Sequence, residues 1–419
     1  MKKINAFLFV VIGLIAFTLF PSRSRSDAPA PAPTFNKEVV RILQTNCQGC
    51  HHSGGIAPFP LMTYGDALKH AKYVDASVQS GDMPPWKPEA GCGDFEGERV
   101  MSSVDKDTIH RWVAGGTPEG DPKDLPAQIQ FSNDWILGKP DVDLTSDKPY
   151  VVGAKDEDEY RCFILPFVAE KDQYIVGLET QPDKGSVVHH TIIYLDAQGD
   201  SLKLPKPGDT KPGYECFGGA GFNSAVMIGG WVPGNVPAFE RPGLGYFVPK
   251  GSHLVLQVHY HADGKQESDL THLGIHFATA PIDHPISIGA AYDMKNLYIK
   301  AGDANYNIES EVTLKRDVKL TGVTPHMHLL GHKIGMEAIL PDNSRQCLIQ
   351  INDWDFHWQG TYRFKKFIDL PKGTRIHLTG NYNNSESNPD QPNHPPIDVQ
   401  WGDRTVDEMF IGFFNYILD

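Results

Sequence analysis

The chain has 419 residues, 40% of them hydrophobic, with 38 Lys and Arg against 52 Asp and Glu, a net charge of -14. That length supports two or three domains, each burying its own core, rather than one compact fold. The acidity is spread thinly with no basic run and no Arg-rich helix, which argues against nucleic acid and anionic membrane surfaces as partners.

Residues 1–26 read as a signal peptide or N-terminal anchor: Met1-Lys2-Lys3 supplies positive charge and Ile4 to Phe20 an apolar stretch near the length of a short membrane span. The expected location is outside the cytoplasm, periplasmic or membrane-anchored and facing the periplasmic or extracellular side. Residues 27–34 carry Ala28-Pro29-Ala30-Pro31-Ala32-Pro33, a semi-extended spacer because proline fixes backbone angles and cannot enter a helix.

Residues 35–122 are expected to be a small helical unit. Val39, Val40, Ile42 and Leu43 share a face, Thr63 with Asp66 resembles a capping box opening a helix through Ser80, and a last helix carrying Ile109, Trp112 and Val113 stops at Gly115-Gly116. Within this unit Cys47-Gln48-Gly49-Cys50-His51 is a heme-attachment signature, two thiols for the vinyl groups and one imidazole for an axial position. A zinc knuckle would want a second close Cys/His pair, and a dithiol redox site a βαβ context; neither is present. Met83, in Asp82-Met83-Pro84-Pro85-Trp86, is a candidate for the other axial position, in competition with Met62, Met101 and His70. On these motifs residues 35 to 120 resemble the c-type cytochrome domains of bacterial exported proteins, in which a Met-Pro-Pro turn supplies the sixth ligand; the resemblance favours Met83.

The heme motif takes two of six cysteines and leaves Cys92, Cys162, Cys216 and Cys347 with three possible pairings, which an exported chain permits. After a linker rich in Pro, Asp and Lys, short Val-, Ile-, Phe- and Tyr-rich runs begin near Gly138, among them Tyr174 to Val176, Val187 to Leu195, Leu254 to Tyr260 and Met409 to Leu418. The expected fold class is multidomain: a small all-α cytochrome c-like domain followed by two antiparallel β-sandwich, jelly-roll-like domains at 138–282 and 283–419.

Histidines cluster at His189-His190, His259-Tyr260-His261 and His326-Met327-His328. Side chains two apart on a strand share a face, so His326 with His328, and His259 with His261, can converge on one ion. Adjacent His189 and His190 face opposite sides unless the strand is distorted there. Imidazoles suit copper, zinc and iron, whereas a thioether favours copper, so Met409 in Asp407-Glu408-Met409-Phe410 discriminates among the metals.

The ordered succession Val188-His189-His190, Leu256 to Tyr260, His326 to Gly331 and Asp407-Glu408-Met409 resembles the type II copper, ascorbate-dependent monooxygenases, the family of the peptidylglycine α-hydroxylating and dopamine β-monooxygenases, over roughly Gly138 to Asp419. The resemblance implies an electron-storing copper on His189, His190 and His259, and a copper that meets oxygen and substrate on His326, His328 and Met409. It also implies a Cys162–Cys216 disulfide, leaving Cys92 and Cys347 free or paired, and makes His261 a bystander.

The function so implied is hydroxylation of a C–H bond of a small or peptide-like substrate with O2, using two copper ions and one covalently attached heme c. The electrons would come from an external donor, ascorbate-like or another cytochrome. Thr324 and Phe413 stand where the peptide-amidating relatives carry an arginine and a tyrosine that hold the substrate, and Phe410 replaces a cysteine. The first two changes argue against a C-terminal glycine as substrate. The alternative is a heme-copper electron-transfer or copper-binding protein without hydroxylase activity.

Overall fold

The computed structural model describes residues 32–418 apart from 56, 132–133, 156–157, 205–207, 209 and 233–234. The expected export segment at 1–26 and most of the spacer at 27–34 lie outside the described residues. Among the described residues, the α-helices are Val40–Asn46, Tyr64–Ser80 and Ser103–Ala114. The capping box read from the sequence opens the second of these. Thr63 Oγ1 accepts from the Asp66 N–H at 3.1 Å and the Asp66 carboxylate accepts from the Thr63 N–H at 2.9 Å, satisfying two donors that the first turn leaves unpaired. Gly81, at φ 89°, ends it, a conformation that costs a residue without a Cβ little. Phe35, Val39, Leu43, Leu61, Ala71 and Trp112 pack a small core between the helices.

Beyond these helices the regular structure of the described residues is mainly strand, connected by loops. The described residues form four principal sheets, two of five strands and two of four, together with two two-stranded ribbons. Most neighbours within a sheet are not consecutive in sequence: one five-stranded sheet runs Tyr214–Glu215, Glu159–Val168, His253–Tyr260, Val188–Asp196 and Val226–Trp231 in spatial order. One four-stranded sheet runs Ser287–Tyr292, Ile411–Leu418, Val318–His326 and Tyr362–Leu370. One apolar cluster is built on residues such as Phe163, Ile193, Leu256 and Ile275, and a second on Leu320, Met336, Ile349, Phe364, Leu378 and Phe410.

These observations correct the expected fold class of an all-α cytochrome c-like domain followed by two antiparallel β-sandwiches. Among the described residues the protein is mostly β, its four principal sheets forming a four-bladed, propeller-like arrangement, with three short α-helices. The alternation of apolar and polar residues shows which side chains of a strand turn inward, but not which strand lies beside it, because pairing is decided by contacts between distant segments. The helical stretch is not free-standing either. Beyond Gly81 the prolines and glycines of residues 84–97 exclude helix, and this stretch is stitched into the second β core. Pro88 bridges Ile351, Phe95 bridges Phe364, and Cys92 is disulfide-bonded to Cys347. The second disulfide is Cys162–Cys216. Two such bonds mark a chain that matures in an oxidising, exported compartment. No described helix is long and apolar enough to cross a membrane.

Phe95 is 2% exposed, stacks on Phe364 at 5.3 Å between ring centroids and belongs to the second apolar cluster. Phe95→Ala is therefore expected to lower the unfolding free energy of the β structure by about 3–5 kcal/mol, read as an earlier denaturant midpoint in the far-ultraviolet strand signal. An unchanged midpoint would show that the helical unit and the sheets fold independently.

Candidate metal centres

The strands Val188–Asp196 and His253–Tyr260 pair antiparallel, with Val188 opposite Tyr260 and His190 opposite His259. His189 is therefore an extra residue, a β-bulge. In a regular strand His189 and His190 would point to opposite faces; the bulge turns both toward His259. The three rings come together with His189 Nδ1 3.1 Å from His190 Nδ1 and His259 Nδ1 3.4 Å from His190 Nδ1. A neutral imidazole carries one N–H, so three nitrogens facing one point form a set of lone pairs suited to a cation. Burial, reinforced by neighbouring His259, pushes His189 down to about 3, and burial drives His190 well below the ordinary histidine value and lowers His259.

Asp158 orders the far side of this cluster. Its carboxylate accepts from His261 Nδ1 at 2.9 Å and from the Thr405 N–H at 2.7 Å. His259 Nε2 lies 3.2 Å from the same carboxylate, off the line of a good hydrogen bond, so the pair is best described as a close electrostatic contact. Burial alone would raise the Asp158 carboxyl; His259 and His261 outweigh it and hold it below its usual range. Tyr160 stacks on His259 at 4.1 Å between centroids and fixes the plane of that ring. A polar cleft of about 350 Å³ opens beside Asp158 and Tyr160, lined also by Glu159, Arg161, Lys211, Glu215 and Phe217.

The second pair sits at the end of Val318–His326, where His326 lies opposite Ile411 and the rings of His326 and His328 are 5.1 Å apart. His326 Nδ1 donates to Gln359 Oε1 at 2.5 Å and His328 Nδ1 donates to the Asp407 carbonyl at 3.1 Å, which leaves both Nε2 atoms as acceptors. Burial pushes His326 down to about 4 and His328 well below the usual range. Met409 stands two residues before the Ile411–Leu418 strand, its carbonyl accepting from the Tyr382 hydroxyl at 2.6 Å. Glu408 ties the two segments together: its buried carboxylate accepts from the N–H groups of His328 at 2.9 Å, Leu330 at 2.6 Å and Met409 at 3.3 Å. Burial raises it to about 8 against the lowering effect of those three donors.

The loop between the strands Arg345–Ile351 and Tyr362–Leu370 covers both clusters. Trp354 Nε1 donates to the His328 carbonyl at 3.2 Å, and Gly331 makes room for that ring, since a Cβ there would meet it at 2.7 Å. Phe356 stacks on His189 at 4.7 Å and meets His328 edge-on at 5.7 Å.

In the helical unit Cys47 and Cys50 are the free thiols among the described residues, the other four cysteines being in disulfides. Burial raises both, Cys47 to about 12. His51 Nδ1 donates to the Phe59 carbonyl at 2.9 Å, leaving Nε2 for a metal. Phe59 packs on His51 at 4.9 Å between ring centroids and His70 stacks on Phe59 at 3.9 Å, while Met83 lies in the turn after Tyr64–Ser80 with its N–H on the Ser77 carbonyl at 3.0 Å.

The sequence reading therefore located the clustered histidines but not Asp158, Phe356 or Gln359, which stand alone with no periodicity or spacing to mark them. Glu408 had a signal, its place inside the Asp407-Glu408-Met409 run. Trp354, which belongs to no motif, braces His328 through its indole N–H.

No family model matches the chain, and no curated protein matches it. Among solved structures it is similar to PNGF-II in its P21 crystal form, at 9% identity over 70% of this chain and 72% of that one with a TM-score of 0.31. It is also similar to an allantoicase, at 13% identity over 54% and 76% with a TM-score of 0.17. A third likeness, to infectious bursal disease virus Gx strain, has 9% identity over 66% and 72% and a TM-score of 0.20. The resemblance to the type II copper, ascorbate-dependent monooxygenases with a fused cytochrome domain is accordingly corrected: no family model or curated relative supports it, and the four-bladed arrangement departs from the fold it implied. The physical reason is that its motifs are runs of a few residues that describe ligand spacing on a strand and leave the strand pairing open.

The buried imidazoles predict an acid dependence in the metal-free protein. An unfolded histidine titrates near 6.5, whereas folded His189 titrates near 3 and His326 near 4. Between those values the unfolded chain binds more protons, so stability falls as pH drops from about 6.5 toward 4, by at most about 1.4 kcal/mol per pH unit for each histidine. Denaturant titrations across that window are expected to show a shallower slope for His189→Gln; an unchanged slope would mean that His189 is not held neutral.

Proposed function

We propose that the protein is a copper-dependent monooxygenase that hydroxylates a C–H bond of a small or peptide-like substrate with O2, fed by electrons through a covalently attached heme. The observation that supports it most is the convergence of three histidine Nδ1 atoms at a bulge, next to a second histidine pair whose Nε2 atoms are left free. Copper held by His189, His190 and His259, and by His326, His328 and Met409, would supply one-electron storage and oxygen activation, and the thioether favours copper over zinc. The overall balance is R–H + O2 + 2e⁻ + 2H⁺ → R–OH + H2O, with an external one-electron donor, ascorbate-like or another cytochrome, as the source of electrons.

The remaining assignments concern this chain's own groups. The bulge aims the first three imidazoles, Asp158 and Tyr160 hold the His259 ring, and Gln359 and the Asp407 carbonyl fix the protons of His326 and His328 on Nδ1. Glu408 locks the turn carrying His328 to the segment carrying Met409. Cys47 and Cys50, free thiols on one turn, would hold a covalently attached heme, and His51, whose Nδ1 is already engaged, would offer Nε2 to its iron. Met83 would supply a second protein ligand to that iron. A periplasmic setting, with or without an N-terminal anchor, would suit both cofactors.

The test is metal and heme analysis of the exported chain together with oxygen uptake. Two coppers and one heme per chain are expected. His190→Ala should lower copper to one per chain, with affinity at the altered site falling by more than the roughly 10–100-fold that loss of an outer partner costs. Met409→Ala should keep heme and the first copper while abolishing oxygen uptake. Copper-dependent heme oxidation with no hydroxylated product would instead favour an electron-transfer protein, and zinc or no metal would contradict the reading.

A further inference from the structure

The loop residue Phe356 offers no metal ligand, yet it is buried against a ring of each histidine cluster. Its ring lies nearly parallel to His189, at 16° and 4.7 Å, and nearly perpendicular to His328, at 77° and 5.7 Å. We infer that Phe356 is a spacer, whose ring keeps the two clusters as separate one-ion centres and prevents His189 and His328 from serving one shared ion or a bridged pair. The inference rests on the reading of both clusters as copper centres.

Five histidines brought together around one aromatic ring could sort themselves in more than one way. With the ring removed, His328 could turn toward the first cluster, or a water could enter and bridge two ions, since the vacated space would be lined by imidazoles able to hold it. Two cations in a poorly solvated interior also repel strongly, and a fixed apolar ring sets a minimum separation.

The position is built rather than incidental. Gln359 Nε2 donates to the Phe356 carbonyl at 2.9 Å while Gln359 Oε1 accepts from His326. Lys87, only 10% exposed at its side chain, binds Asp353 at 2.7 Å and approaches Asp355 at 3.9 Å, so the loop is fastened to the stretch that leaves the helical unit.

The experiment is electron paramagnetic resonance of the full chain loaded with copper(II), read beside the copper content, with the heme signal separated by its different field position. The wild type should show two isolated copper(II) spins per chain, and Phe356→Leu, which keeps an apolar filler, should do the same. Phe356→Ala should lose about half or more of the copper spin intensity through coupling, or fall to one copper per chain. Lys87→Met, which unfastens the loop without touching a histidine, should shift a smaller fraction in the same direction and decides the matter if the alanine variant does not fold. Two unchanged, uncoupled spins in Phe356→Ala, or in Lys87→Met where the alanine variant does not fold, would overturn the inference, as would coupled spins in the wild type. A wild type that takes up no copper would instead overturn the reading of the clusters.

Discussion

One extra residue in one strand governs the arrangement of the site. Without the bulge at His189, the pleat of Val188–Asp196 would send His189 and His190 to opposite faces, and His259 across the ladder would meet only one of them. With it, three imidazoles meet at separations that neutral rings cannot fully satisfy among themselves. A bulge leaves a residue out of the ladder, and the surrounding sheet sustains that loss: Val255, Leu256 and Val258 on the partner strand are fully or almost fully buried, and Cys162–Cys216 clamps the next strand.

The second centre depends on a different device, a buried carboxylate used as a clasp. Glu408 faces three backbone N–H groups from two segments that are 80 residues apart in sequence, so the turn after His326 and the approach to Met409 are held in one geometry. The helical unit reaches the same region through the stretch from Lys87 to Phe95, which is bonded, bridged and disulfide-linked to the strands around Ile351 and Phe364. Rigid connections of this kind bring the segment carrying Met83 and the loop carrying Phe356 into one mechanical piece.

Much of the local structure was legible because it rests on short-range rules. Thr63 and Asp66 announce a helix start whatever surrounds them, and the apolar runs at Tyr174 to Val176 and Leu254 to Tyr260 fall within observed strands. The histidine pairs at spacing two were legible for the same reason. What failed was long-range: the sheet partners and the four-bladed arrangement depend on pairings between strands that are not neighbours in sequence, and the stitching of residues 84–97 into a distant core on contacts such as Cys92–Cys347, separated by 255 residues, none of which periodicity encodes. Asp158, Gln359 and Phe356 were invisible because each acts alone, and the family resemblance failed because ligand spacing can recur without the fold that usually carries it.

The measurement that bears most directly on the central claim is anomalous diffraction at the copper edge from crystals of the protein grown with copper. The account predicts a peak among the Nδ1 atoms of His189, His190 and His259 and a second beside the Nε2 atoms of His326 and His328. Absence of copper at the bulge, or a signal at the zinc edge alone, would contradict it.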